Sequence, residues 1–167
     1  MTQRSIRIAQ FVNVVLFALV MGVFWGTWFS LSRSIASITP DSFLEIGHLM
    51  IANLATPMSV LMPAALISSV IVLLLLVRHA RGSAFYLTAL SLLLMIAALV
   101  VTLTVNVPID NDINQWTRNT LPSDWMAIRD RWQVYHTVRT LASIASLSCA
   151  VASALRWAPS PHQIVRQ

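Results

Sequence analysis

The sequence predicts an all-α integral membrane protein: one four-helix bundle, up-down-up-down, with both termini on the cytoplasmic side. Three observations predict it. The 167 residues are 57% hydrophobic and only 10% charged, too apolar for an ordinary soluble domain. Four runs, 8–29, 49–77, 83–105 and 134–157, reach the roughly 20 apolar residues that a span requires. The charges are also segregated. All six carboxylates (Asp41, Glu45, Asp110, Asp112, Asp124, Asp130) fall within 30–48 and 106–133, whereas Arg4, Arg7, Arg78, Arg81, Arg156 and Arg166 lie beyond the opposite ends with no acid near them. An acid-free, arginine-bearing side marks the cytoplasm, so 30–48 and 106–133 are expected outside.

Little chain remains for a second domain, and 1–167 reads as a single membrane domain. Its integral, multi-pass character fits a bacterial inner (plasma) membrane, with the lipid bilayer as its first partner. The basic balance follows from topology and does not imply nucleic acid. All eleven basic residues are arginine, which excludes Schiff-base and P-loop lysine chemistry. Arg4 and Arg7 followed by an apolar run resemble a signal peptide, but the run is too long for a signal h-region and no A-x-A site follows. The single cysteine, Cys149, excludes an intramolecular disulfide and reads as a small packing residue.

The first span carries Gly22 and Gly26 four residues apart, a spacing that lets a neighbouring backbone approach. Trp25 and Trp28 lie at its outer end, where interfacial aromatics are the default. Asn13 reads as interhelical glue. The second span is expected to begin outside the membrane, with Ser42 and Glu45 as a capping box. From Asp41 to Val77 the helix exceeds a bilayer core of roughly 30 Å, so it either protrudes or bends at Pro57 or Pro63. The short turn Arg78–Gly82 makes the second and third spans antiparallel neighbours. The third is expected to stop at Asn106-Val107-Pro108, with Asn106 capping free carbonyls and 106–123 forming the longest loop. Ser123 and Asp124 are natural N-caps for the last helix. The small residues along 143–153 of that helix suit tight packing between membrane helices.

Trp125, Arg129, Trp132, His136 and Arg139 follow one another at spacings of 4, 3, 4 and 3, which puts all five on one helical stripe. Arg and His at membrane depth are costly and usually face a bundle interior or a wet cavity. A stripe of cations, indoles and imidazole can hold a planar anionic or aromatic molecule by charge and stacking. The alternative is an interfacial belt, with arginines paired to Asp110, Asp112 or Asp130 and tryptophans at headgroups. Glu45 and His48, joined by His136, offer a two-His-one-carboxylate set for a non-haem metal; their alternative is a capping Glu and a hydrogen-bonded His. A haem pair is disfavoured because His79 and His162 lie on the cytoplasmic side.

The segment Asn106-Val-Pro-Ile-Asp110-Asn-Asp-Ile-Asn114-Gln-Trp116, then Asp124-Trp125 and Arg129-Asp-Arg131-Trp132 running to His136 and Arg139, resembles the anthrone-oxygenase-like family of small membrane proteins. The specific part of the likeness covers about residues 100 to 145; elsewhere it is hydrophobic pattern. The resemblance implies a four-helix membrane protein, some fungal relatives of which oxidise polyketide anthrones to anthraquinones with O2 and no added cofactor. It singles out Asn106, Pro108, Asn111, Trp116, Trp125, Arg129, Arg131, Trp132, His136 and Arg139. Position 110 is Asp where many relatives are expected to have Asn, which counts against an amide role there.

Two functions are therefore carried forward. One is a cofactor-independent oxygenase for a phenolic, polyketide-type aromatic. In it His136 acts as base, Arg129, Arg139 and Asn106 stabilise the developing anion, and Trp125, Trp132, Trp116, Asn111 and Arg131 line the substrate. The other is a non-catalytic module that binds lipid, quinone or a small aromatic, or supports a partner, with a homo-oligomer left open. A channel or transporter ranks last, since four spans without repeats are few for alternating access.

Topology is directly testable. In a Cys149→Ala background, Thr117→Cys should react with a membrane-impermeant maleimide in intact cells, and Gly82→Cys only after permeabilisation. The reverse labelling would invert the orientation.

Overall fold

The computed structural model describes residues 3–31, 34–78 and 82–157. Arg33, His79, Arg81, His162 and Arg166 lie outside the described residues. The helices are α1 (Gln3–Leu31), α2 (Pro40–Val77), α3 (Ser83–Val101), α4 (Val107–Gln115) and α5 (Trp125–Arg156), and a π-helical turn at Thr102–Asn106 joins α3 to α4. Among the described residues, four rods are long and apolar enough to cross a membrane: α1, α2, the continuous stretch Ser83–Gln115, and α5. α1 packs on α2 and α5, α2 on α3, and α3 most extensively on α5, which closes a ring.

Apolar side chains cover the outside of the bundle as well as its core, and small hydroxyl side chains are buried between the helices. Phe11, Val60, Ile67, Leu93, Leu141 and Leu155 are exposed, while Ser69, Thr88, Ser91, Ser143, Ser146 and Ser153 are buried. Lipid solvates the aliphatic face, so helix association depends on close packing and interhelical hydrogen bonds. The α3–α5 seam supplies both. Ser91 Oγ donates to Ser146 O at 2.7 Å and Ser146 Oγ to Ser91 O at 2.6 Å. Thr88 and Ser153 share a 2.7 Å hydroxyl contact. Later residues of α3 meet earlier residues of α5, so these two helices run antiparallel. Asn13 Nδ2 donates to Ser68 Oγ at 2.9 Å across α1 and α2, the glue role expected of it.

Three local expectations are corrected. The third span does not stop at Pro108. Proline lacks an N–H and its ring crowds the carbonyl four residues back; the wider π turn absorbs both, with Val107 N–H bonded to Thr102 O, and the helix continues to Gln115. The N-cap of α2 is Thr39, whose hydroxyl accepts from Ser42 N at 3.3 Å, rather than Ser42 itself. Gly22 and Gly26 face open space; the close approach is at Gly47, where a Cβ would stand 3.0 Å from Ile113 Cγ2. α2 runs through Pro57 and Pro63 unbroken for 38 residues, about 57 Å at 1.5 Å each. Its first turns therefore extend past a core of roughly 30 Å.

Around those turns gathers a cluster of Ile35, Phe43, Ile109, Ile113, Trp125 and Trp132, separate from the mid-bundle core of Phe17, Phe24, Met62 and Met95. It joins the beginnings of α2 and α5 to α4.

Ser91→Ala should cost about 0.6 kcal/mol, a typical interhelical hydrogen bond, whereas Ser91→Leu should cost about 1–3 kcal/mol by overpacking. Unfolding in mixed micelles checks the order. Equal effects would show that the seam is not close-packed.

Candidate functional site

Asp124 caps the start of α5 without a side-chain hydrogen bond. From there the helical period turns Trp125, Arg129, Trp132, His136 and Arg139 inward, and all five are buried. The stripe divides into a mouth, at Trp125 and Arg129, and a deeper group around Trp132.

At the mouth, Arg129 pairs with Asp130, Nη2 to Oδ1 2.8 Å, as the belt alternative allowed. It also donates from Nη1 to Ile35 O at 3.3 Å and lies 5.3 Å from the Trp125 ring centre. Arg129 thus ties the connection between α1 and α2 to α5.

Trp132 is the junction of three elements. Its Nε1 donates to Asp110 Oδ1 at 2.7 Å, its carbonyl accepts from Asn106 Nδ2 at 3.1 Å, and its ring stacks on His136 at 4.8 Å, 17° between planes. The π turn is what aims Asn106 inward.

Arg139, 8% exposed, donates from Nε to His136 Nδ1 at 3.0 Å and from Nη1 to Thr102 Oγ1 at 3.3 Å. Its guanidinium carbon sits 4.7 Å from the Phe24 ring centre. The ion pairs among the described residues are Arg118–Asp41 and Arg129–Asp130, so Arg139 is a buried cation with no carboxylate within bridging distance. A guanidinium only donates, so Nδ1 of His136 accepts and the proton of the neutral ring resides on Nε2. That nitrogen and Asn106 Oδ1 are both buried without a hydrogen-bond partner. The Phe24 backbone stands near the imidazole without making a hydrogen bond of good geometry to Nε2. Buried polar atoms are almost always paired. An orphan donor on α5 and an orphan acceptor on the π turn packed against it are groups that a ligand would satisfy.

A cavity of about 50 Å³ opens between the beginnings of α2 and α5 and one side of α4. Asp110, Arg129 and Trp132 form one wall, with Leu31, Ile35, Phe43, Gly47, Ile51 and Ile113 among the apolar lining. A water needs roughly 10–15 Å³ on this measure, so the space holds a few waters or a diatomic gas.

Not every residue expected at the site is brought there. Asn111 and Arg131 are exposed, Arg131 because it follows the inward stripe by a non-helical interval. Trp116 is half-buried and packs on the outer aromatic cluster. Glu45 is exposed, and His48 Nε2 contacts Ile113 O at 2.9 Å. Among the described residues no three His, Cys, Asp or Glu side chains gather as a metal-holding group, so Glu45, His48 and His136 do not form a ligand set. Asp110, Thr102 and Phe24 join the site without having been singled out for these contacts. Thr102 precedes Asn106 by one helical turn, a signal present in the sequence; Asp110 and Phe24 reach α5 only by tertiary packing.

Arg139→Met removes the donor to His136 Nδ1 and leaves that acceptor buried, which should lower stability in detergent by about 1–3 kcal/mol. Unfolding in mixed micelles checks this, and unchanged stability would show that the Arg139–His136 bond contributes nothing net.

Comparison with curated proteins and with solved structures gives no match. The family model described as "Anthrone oxygenase" matches residues 53–149, more than half of the chain, from within α2 to within α5. The match includes the π turn, Asn106, Asp110 and the whole inward stripe. The chain belongs to the anthrone oxygenase family.

Proposed function

We propose that the protein is a membrane-embedded oxygenase that converts a phenolic, anthrone-type aromatic to its quinone with O2 and no added cofactor, in a bacterial inner membrane. The observation that carries this reading is the Arg139 guanidinium, buried with no carboxylate in bridging distance beside the orphan donor of His136, both against the Trp132 ring that also lines a mostly apolar cavity. Such a site favours an organic anion over its neutral parent, because donors and charge preorganised in a dry site stabilise charge as it develops.

The chemistry needs little else. Loss of a proton from the methylene opposite the ketone gives an enolate whose charge rests on oxygen. Arg139, Arg129 and the Nε2–H of His136 stabilise that oxygen. The lone pair that a base would use at Nδ1 is engaged by Arg139, so His136 is assigned here as a donor rather than as the base. The electron-rich carbanion passes an electron to O2 and then recombines with it. The resulting hydroperoxide loses water, so one anthrone and one O2 give one anthraquinone and one water. Trp132 and Trp125 supply ring surfaces, and Asn106 Oδ1 accepts from a substrate hydroxyl. A tricyclic aromatic exceeds the present cavity, so access requires the segment bearing Ile35 and Ile38, fastened by the Arg129–Ile35 bond, to move aside.

The second reading, a non-catalytic binder of a quinone, lipid or small aromatic, draws on the same apolar walls. It predicts binding without consumption of O2.

Protein purified in detergent and supplied with an anthrone should consume O2 and produce anthraquinone absorbance well above empty micelles. Arg139→Met should lower kcat by about 10²–10³, the cost of removing one oxyanion donor. Wild-type rates equal to empty micelles would remove the oxygenase reading for that substrate.

A further inference from the structure

We infer that Asp110 is the proton acceptor of this site, a role that rests on the anthrone-type reading above. A base must present a free lone pair to the space where substrate sits. His136 offers none: Nδ1 accepts from Arg139 and Nε2 bears the ring proton. Asp130 is exposed and held by Arg129. Asp41, Glu45, Asp112 and Asp124 are exposed, and His48, whose Nε2 donates to Ile113 O, does not line the cavity. Of the ionisable side chains lining the cavity among the described residues, Arg129 is a donor only, and Asp110 alone has acceptor oxygens.

The carboxylate is also positioned. One oxygen, Oδ1, is fixed by the Trp132 indole at 2.7 Å. No ion pair within bridging distance engages Asp110 among the described residues. Oδ2 therefore remains available, and the indole bond holds the group against the same ring that offers a stacking surface. Asp110 lies four residues past Asn106, so the turn that aims the amide at α5 also places the acid at the cavity wall.

The proton inventory closes through this one group. Asp110 takes the first methylene proton, and the C–H electron pair moves to the ketone oxygen. After O2 adds, the same carboxylic acid protonates the peroxide. It then removes the second hydrogen of that carbon as the O–O bond breaks, and the departing hydroxide recovers the proton as water. Two electrons from each of the two C–H bonds reduce O2 to the level of water and a new carbonyl oxygen.

Proton removal can be read without oxidation. Anthrone in D2O under argon exchanges its methylene hydrogens only as fast as a base removes them, and mass spectrometry follows the exchange. Wild-type protein should accelerate this over empty micelles. Asp110→Asn should reduce the acceleration, and aerobic turnover, at least 100-fold, in the range typical of a lost general base. Affinity for anthraquinone, read by tryptophan quenching, should stay within threefold. Asp110→Glu, which keeps the carboxylate but shifts it by one methylene, should recover part of the exchange and serves as the second variant if the amide unfolds the protein. Exchange by Asp110→Asn at the wild-type rate overturns the inference whether or not oxidation persists. Wild-type exchange without aerobic oxidation removes the oxygenase reading and keeps Asp110 as the base. Absence of both from the wild type removes both.

Discussion

A guanidinium held inside a membrane bundle with no carboxylate in bridging distance, and with Asp110 attracting it only from farther off, constrains everything around it. Moving such a charge out of water costs several kcal/mol. The local arrangement offsets this with bonds to His136 and Thr102 and with the faces of Phe24 and Trp132. Each of those contacting partners is neutral, and Asp110 attracts the cation without bonding to it. The imidazole is turned so that its remaining nitrogen also donates. The site is built as a receptor for negative charge.

The second device is the π turn. An uninterrupted α-helix through Pro108 would lose a hydrogen bond and meet a clash; a break there would release α4 from the bundle. Widening one turn keeps the rod continuous and changes the phase of its inward face. Thr102, Asn106 and Asp110 then meet Arg139, the Trp132 carbonyl and the Trp132 indole in succession. Such π segments recur at functional sites because they spend local regularity on side-chain direction. Here the polar seam runs beside an apolar cavity, and Trp132 belongs to both.

Much of this is legible in the chain. Length and hydropathy give the spans, and a period of 3.6 turns the last helix's stripe inward, because burial of that face is the one outcome that keeps two arginines and a histidine from lipid. What periodicity cannot reveal is pairing between distant elements. The bond from Asp110 to Trp132 joins residues 22 apart in sequence, and nothing local marks it. Pro108 misleads for a physical reason: its usual meaning, the end of a helix, assumes α geometry on either side. Gly22 and Gly26 have the spacing of a close contact, yet the contact depends on a neighbour that is elsewhere. Asn111 and Arg131 lie within the stretch that matches the family, but the helix rotates them outward, so position in such a stretch does not by itself place a residue at a site.

Selectivity of the site for anions can be read by equilibrium binding. A hydroxyanthraquinone at a pH where it is ionised, and its neutral O-methyl ether, can each be titrated against wild-type and Arg139→Met protein by tryptophan fluorescence. Wild type should bind the anion at least tenfold more tightly, and the variant should lose that preference. Equal affinities of wild type for the two ligands would contradict it.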